Sequence, residues 1–163
     1  MTGLDVIGVK LPLIKMEFKQ EVVINLSPED IFAYVSDLEN LADWSSVVIS
    51  VRKISQESMH VGAAVRCTIR FLGRWFETSF ELVECKPVHY LTIKSISGVA
   101  PCLIYYQLEP VESGGTSVSL EQVIHVTGRY LGLADPVASN IIRRQVEYDL
   151  LTLKDLLEAK LAI

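Results

Sequence analysis

The alternation of apolar and polar positions divides the chain into strand-like and helix-like stretches. MEFKQEVVIN (16–25) alternates and is rich in β-formers, which predicts a first strand. The period then changes. In NLSPEDIFAYVSDLENLADW (25–44), Ile31, Val35 and Leu38 recur at i, i+4 and i+7 with Phe32 beside them, an apolar stripe on a short helix. Ser27 at the N-cap, Pro28 at the first helical position and Asp30 two residues later form its start signal. A second short apolar turn ends at Trp44.

From Ser46 to Thr127 the pattern predicts strands and turns. AAVRCTIRFL and WFETSFELVE join around Leu72-Gly73, and a two-residue turn there pairs Ile69 with Phe76, Cys67 with Thr78 and Val65 with Phe80. The opposite face then pairs Arg70 with Trp75, Thr68 with Glu77 and Arg66 with Ser79. One face is apolar and the other polar, and a slip of one residue would mix them. A turn at Lys86-Pro87 predicts Leu82 opposite Leu91, Phe80 opposite Ile93 and Thr78 opposite Ser95. CLIYYQLE and TSVSLEQVIHV close around ESGG, and a three-residue loop there predicts Tyr106 opposite Gln122 and Ile104 opposite Ile124.

The last element is a long helix, capped by Asp135, opened by Pro136 and running to about Leu161. Ile142, Val146, Leu150, Leu153, Leu157 and Leu161 form its stripe. At 1.5 Å per residue it spans roughly 39 Å, enough to cross a six- or seven-stranded sheet. Such a sheet twists and curls around the helix. One helix does not cover the whole inner face, so space remains at one end, and the helical insert at 25–44 is expected to wall it off.

Composition narrows the function. A net charge of −5 and no basic run speak against nucleic acid as a partner. No apolar run approaches the roughly 20 residues of a membrane span. Cys67, Cys85 and Cys102 are odd in number and form no CxxC, which predicts free thiols in a reducing cytoplasm. The opening MTGLDVIGVKLPLIK is a poor signal peptide; residues 1–15 are read as an N-terminal arm, either unpaired or added to the sheet edge.

Three segments carry a family resemblance. LSPEDIFAYVSDLENLADW resembles the first helix pair of the START-like, helix-grip superfamily (SRPBCC, polyketide cyclase/dehydrase and lipid transport type). GGTSVSLEQVIHV is similar to its last strand, and LADPVASNIIRRQVEYDLLTLKDLLEAK to its C-terminal helix. The resemblance covers about residues 17–160. It implies an α+β helix-grip fold: a curved antiparallel sheet of six to seven strands gripping the C-terminal helix, with two short helices after strand one, in a single domain over 16–163. It also implies a cavity for an apolar small molecule.

Inward positions then become candidate ligand contacts. Cys67, Thr78 and Ser95 are expected in one cross-strand row and Tyr106 and Gln122 as a polar pair, in a wall otherwise built by residues such as Ile69, Phe80 and Ile93. Trp44 is placed at the pocket mouth or in the core beneath it, and Ile142 and Val146 are the stripe residues nearest the space. Ordinary strand roles, with hydroxyls bonded to backbone, compete with this reading for Cys67, Thr78 and Ser95. His60, His89 and His125 have no metal-ligand spacing, and no cofactor fingerprint occurs. Glu77 and Glu81 are i, i+4 on one strand and fall on the polar outer face, as solvated cross-strand partners.

These features favour a binding protein that shields or carries a lipid, an isoprenoid quinone or a polycyclic aromatic. No acid–base or nucleophile set is recognisable, and no buried carboxylate or histidine is evident. A cyclase or dehydratase using Tyr106 and Gln122 is the alternative. A third is an accessory interaction module, if Trp75, Val83 and Tyr90 form one exposed patch. No pattern in the chain sets the oligomeric state.

Overall fold

The structure is a computed structural model that describes residues 2–4, 10–55, 60–98, 101–127 and 135–161, with side chains described over 15–55, 60–98, 101–125 and 136–161. In chain order the elements are β1 (Thr2–Leu4), β2 (Lys10–Ile24), α1 (Pro28–Val35), a 3₁₀ turn (Leu38–Asn40) and α2 (Leu41–Trp44). There follow β3 (Val48–Lys53), β4 (Ala64–Phe71), β5 (Arg74–Lys86), β6 (Tyr90–Ser97), β7 (Cys102–Pro110), β8 (Thr116–Thr127) and α3 (Asp135–Leu161). The sheet order is β1-β2-β8-β7-β6-β5-β4-β3, antiparallel throughout. Seven strands form the curved sheet that grips α3, and the three-residue β1 lies beside β2. This is the helix-grip fold. β2 begins at Lys10, so residues 10–15 extend the first strand beyond the expected start at Met16.

The β4–β5 hairpin has the predicted register, including Ile69 opposite Phe76 and Cys67 opposite Thr78. Leu72 and Gly73 both have positive φ (53° and 75°), the backbone that a two-residue hairpin turn of matching twist requires. Outside, the Arg70 guanidinium lies 5.6 Å from the Trp75 ring centre. Inside, Val65, Cys67, Ile69 and Phe71 are buried.

Two other registers differ from expectation. β5 and β6 pair Phe80 with Ser95 and Leu82 with Ile93, because the ladder shifts between Ser79 and Phe80 and again between Leu82 and Glu84. The turn is also longer: Lys86 pairs with Tyr90 across Pro87, Val88 and His89, and Val88 carries a φ of 73°. The row Cys67–Thr78–Ser95 is therefore broken at Ser95. β7 and β8 pair Tyr106 with Leu120 and Ile104 with Gln122. Their connection spans Val111–Gly115, closed by Val111 N–H to the Gly115 carbonyl at 3.0 Å. The two extra loop residues slip the ladder by two, which keeps every side chain on its face but separates Tyr106 from Gln122.

Trp75 and Tyr90 do not form one patch. Trp75 is the second residue of β5, and Tyr90 pairs with its last residue, Lys86. Eleven residues of strand put them roughly 36 Å apart.

The insert is built as its sequence suggests. The Ser27 hydroxyl accepts from the Asp30 N–H at 3.3 Å, and Ile31, Phe32 and Val35 are buried. The Tyr34 hydroxyl donates to Asp43 at 3.0 Å, tying α1 to α2. Along α3, Ala138, Ile142, Val146, Leu150, Leu153 and Leu157 are buried, while Leu161, expected to complete the stripe, is exposed.

Candidate functional site

Ile142, Gln145, Val146 and Asp149 stand at i, i+3, i+4 and i+7 on α3, so the helical period sets them on one face. Between that face and the sheet lie two adjoining cavities of about 90 Å³ each. Ile69, Phe71, Phe76 and Phe80 wall the first from β4 and β5, and Gln122, Ile124 and Ile142 close it from β8 and α3. Leu41, Trp44, Val47 and Val48 roof the second. Beneath them lie Ile93, Ile104, Tyr106 and Leu120, with Val146 and Asp149 at the helix side. Val47, Ile69, Phe80, Gln122 and Gln145 border both spaces and form the partition. The insert thus supplies a wall through Leu41 and Trp44.

Of the candidate contacts, Ile69, Phe80 and Gln122 line both cavities; Thr78 and Ile142 line the first; Trp44, Ile93, Tyr106 and Val146 line the second. Cys67 and Ser95 line neither. Cys67 is fully buried, and burial pushes its thiol up to about 12, so it stays protonated. The Ser95 hydroxyl accepts from the Cys102 N–H at 2.8 Å, a strand role. Thr78 packs against Gly98, whose φ of 130° and missing Cβ allow the approach: a Cβ there would lie 2.6 Å from the Thr78 hydroxyl. Trp44 meets the Tyr106 ring edge-on, centroids 6.2 Å apart.

The polar groups are few. The Gln122 amide donates to the Cys102 sulfur at 3.5 Å, and burial holds that thiol up at about 11. Asp149 is 4% exposed, so the expectation of no buried carboxylate is wrong. One carboxyl oxygen accepts from the Ser46 N–H at 2.9 Å and the other from the Gln145 amide at 2.8 Å. Burial raises its pKa, and hydrogen bonds from Gln145, Ser46 and Ser45 oppose the rise. The Tyr106 phenol is raised by burial and then by the nearby Asp149. The signal for Asp149 was in the chain: it lies seven residues after Ile142 and three after Val146, inside the stripe. Gln145 was missed because polar helix residues were read as outward, and Cys102, two residues before Ile104 on the inward face of β7, was read only as a free thiol.

Among the described residues, no three His, Cys, Asp or Glu side chains gather to hold a metal ion. No helix among them is long and apolar enough to cross a membrane.

The family model for polyketide cyclase / dehydrase and lipid transport matches residues 15–158. The chain belongs to this family. The match to the polyketide cyclase/dehydrase and lipid transport family covers β2 from residue 15, the six strands that follow it, the insert and all but the last turn of α3. Among solved structures, TTHA0849 from Thermus thermophilus has a TM-score of 0.75 at 21% identity, over 88% of this chain and 97% of that one. A START superfamily protein from Mycobacterium smegmatis has 0.74 at 13%, over 88% and 98%. The Zhui aromatase/cyclase from Streptomyces has 0.73 at 12%, over 91% and 98%. At these identities the likeness shows the fold alone. No curated protein sequence matches this one.

Proposed function

We propose that the protein binds and shields a hydrophobic small molecule between the curved sheet and the N-terminal half of α3. The observation that carries this reading is the pair of adjoining cavities, walled mostly by aliphatic and aromatic side chains and bordered by a few polar groups. Burying apolar ligand surface supplies about 25 cal/mol per Å², which drives binding without chemistry. The family's lipid-transport description is consistent with this role. Trp44, Ile69, Thr78, Phe80, Ile93, Tyr106, Gln122, Ile142 and Val146 are the proposed contacts. As it stands the space suits a compact guest. A lipid, an isoprenoid quinone or a polycyclic aromatic requires more room than the two cavities hold in this conformation. The three free cysteines fit a cytoplasmic setting.

Native mass spectrometry of the protein from its own cells tests the proposal. The expected result is an apolar adduct lost on denaturation. A bare polypeptide mass, together with no binding of apolar probes, overturns it.

One observation favours a second reading, catalysis of the cyclase or dehydratase type. Asp149 and Tyr106 border the same largely apolar cavity, where a carboxyl and a phenol can serve proton transfer. Turnover of a reactive polyketide-like chain by the wild type, abolished in Asp149→Asn, would establish it. Turnover that Asp149→Asn leaves unchanged refutes it.

A further inference from the structure

Tyr106 is 1% exposed and lines the second cavity, and among the described residues its hydroxyl has no hydrogen-bond partner. Native interiors rarely leave such a group unsatisfied, and one that is unsatisfied calls for an explanation. Asp149 borders the same space. Its oxygens accept the Ser46 N–H and the Gln145 amide, the Ser45 and Ser46 hydroxyls also reach it, and a ligand hydroxyl takes the place of one of these serine hydroxyls. Around these two groups the wall is apolar, with Trp44, Ile93, Leu120 and Val146.

The cavity therefore offers one free donor-acceptor, the phenol, and one nearby acceptor, the carboxyl. A ligand carbonyl answers the phenol and leaves Asp149 facing another acceptor. A carboxylate is repelled. An ammonium answers Asp149 but must bury a charge among aliphatic side chains. A hydroxyl answers both at once, donating to Asp149 and accepting from Tyr106. The hydroxyl match holds in either protonation state of Asp149, whereas the rejection of a carbonyl or a carboxylate holds for its ionised form.

Size bounds the rest of the molecule. The two cavities share the partition of Ile69, Phe80 and Gln122, and together they are of the order of the roughly 150 Å³ cavity known to hold one benzene. We propose that the ligand is a compact, ring-containing alcohol or phenol, held by its hydroxyl between Tyr106 and Asp149 with the ring towards Ile69 and Phe80, where the two spaces meet. This rests on the binding reading above and names the chemistry of the guest.

The test is titration calorimetry of the full chain with 4-ethylphenol, its methyl ether 4-ethylanisole, and ethylbenzene. The expected result is that the wild type binds the phenol about tenfold more tightly than the ether, which cannot donate to Asp149. Tyr106→Phe is expected to weaken the phenol by about tenfold and to leave ethylbenzene within about twofold. Ethylbenzene binding with no preference for the phenol over its ether overturns this inference and leaves the hydrophobic-binding reading intact. Failure of all three probes overturns both. Equal weakening of phenol and ethylbenzene by Tyr106→Phe shows a packing role only and also overturns it. Should that variant not fold, the wild-type comparison of phenol with ether decides.

Discussion

From Leu150 to Leu157 the grip helix presents Leu150, Leu153 and Leu157 to the interior, none more than 1% exposed. Its far end is tied down: Lys154 donates to the Val23 carbonyl at 2.6 Å, and Glu158 accepts from the Asn25 N–H at 2.9 Å and from Lys154 at 2.8 Å. Two to three turns earlier, Ile142 and Val146 are as buried as those leucines, yet they border empty space and alternate with Gln145 and Asp149. One helix thus anchors the fold with one half and shapes a cavity with the other. The lesson is that burial alone does not distinguish a core residue from a cavity wall. The polar residues interleaved in the stripe do.

That contrast breaks most visibly under truncation. Leu153→Ala removes a side chain from a filled region and is expected to cost about 3–5 kcal/mol in urea unfolding. Ile142→Ala only enlarges an existing space, whose lining already lacks some contacts, and is expected to cost about 2 kcal/mol. The reverse order would erase the distinction between the halves.

Gln122→Leu sharpens the same contrast on the sheet side. Gln122 borders both cavities and makes one weak bond, to the Cys102 sulfur. The variant is expected to unfold within about 1 kcal/mol of the wild type while its preference among apolar ligands changes by about tenfold. Unfolding without a change in preference would make the residue structural.

The smallest effects are in pH, and the two halves differ in sign. Burial raises the Asp149 pKa above its ordinary 3.8, so the folded protein holds that proton more tightly than the unfolded chain. Its contribution is greatest below 3.8 and declines as pH rises through the folded value. Glu158 is lowered from its ordinary 4.5 by the hydrogen bond from Lys154 and then by that from the Asn25 N–H. Its contribution is present above 4.5 and is lost as pH falls through the folded value. In thermal melts between about pH 3 and 7, Asp149→Asn is expected to remove a downward slope with rising pH, and Glu158→Gln an upward one. Slopes of the same sign in the two variants would contradict the assignment.

How far the chain could be read depended on which turns it left explicit. The β4–β5 hairpin was legible residue by residue, because a two-residue turn and a clean two-face pattern admit one register. The β5–β6 pairing was not, because the shifts at Ser79/Phe80 and Leu82/Glu84 leave no mark in the alternation. The β7–β8 slip came from a loop two residues longer than assumed, and a slip of two is invisible to a pattern of period two. So the faces were right while the partners of Gln122 and Ser95 were wrong. Asp149 was lost differently: a lone aspartate on an amphipathic helix reads as solvated, and only its spacing from Ile142 and Val146 turns it inward.

The most direct measurement is a crystal structure of the protein under xenon pressure. Xenon enters apolar cavities without requiring a particular ligand. The account predicts xenon density in the two spaces flanking Ile69 and Phe80, against Ile142 and Val146, and none beside Leu153 or Leu157. Side chains closing over those spaces, with no xenon between the sheet and the first half of α3, would contradict it.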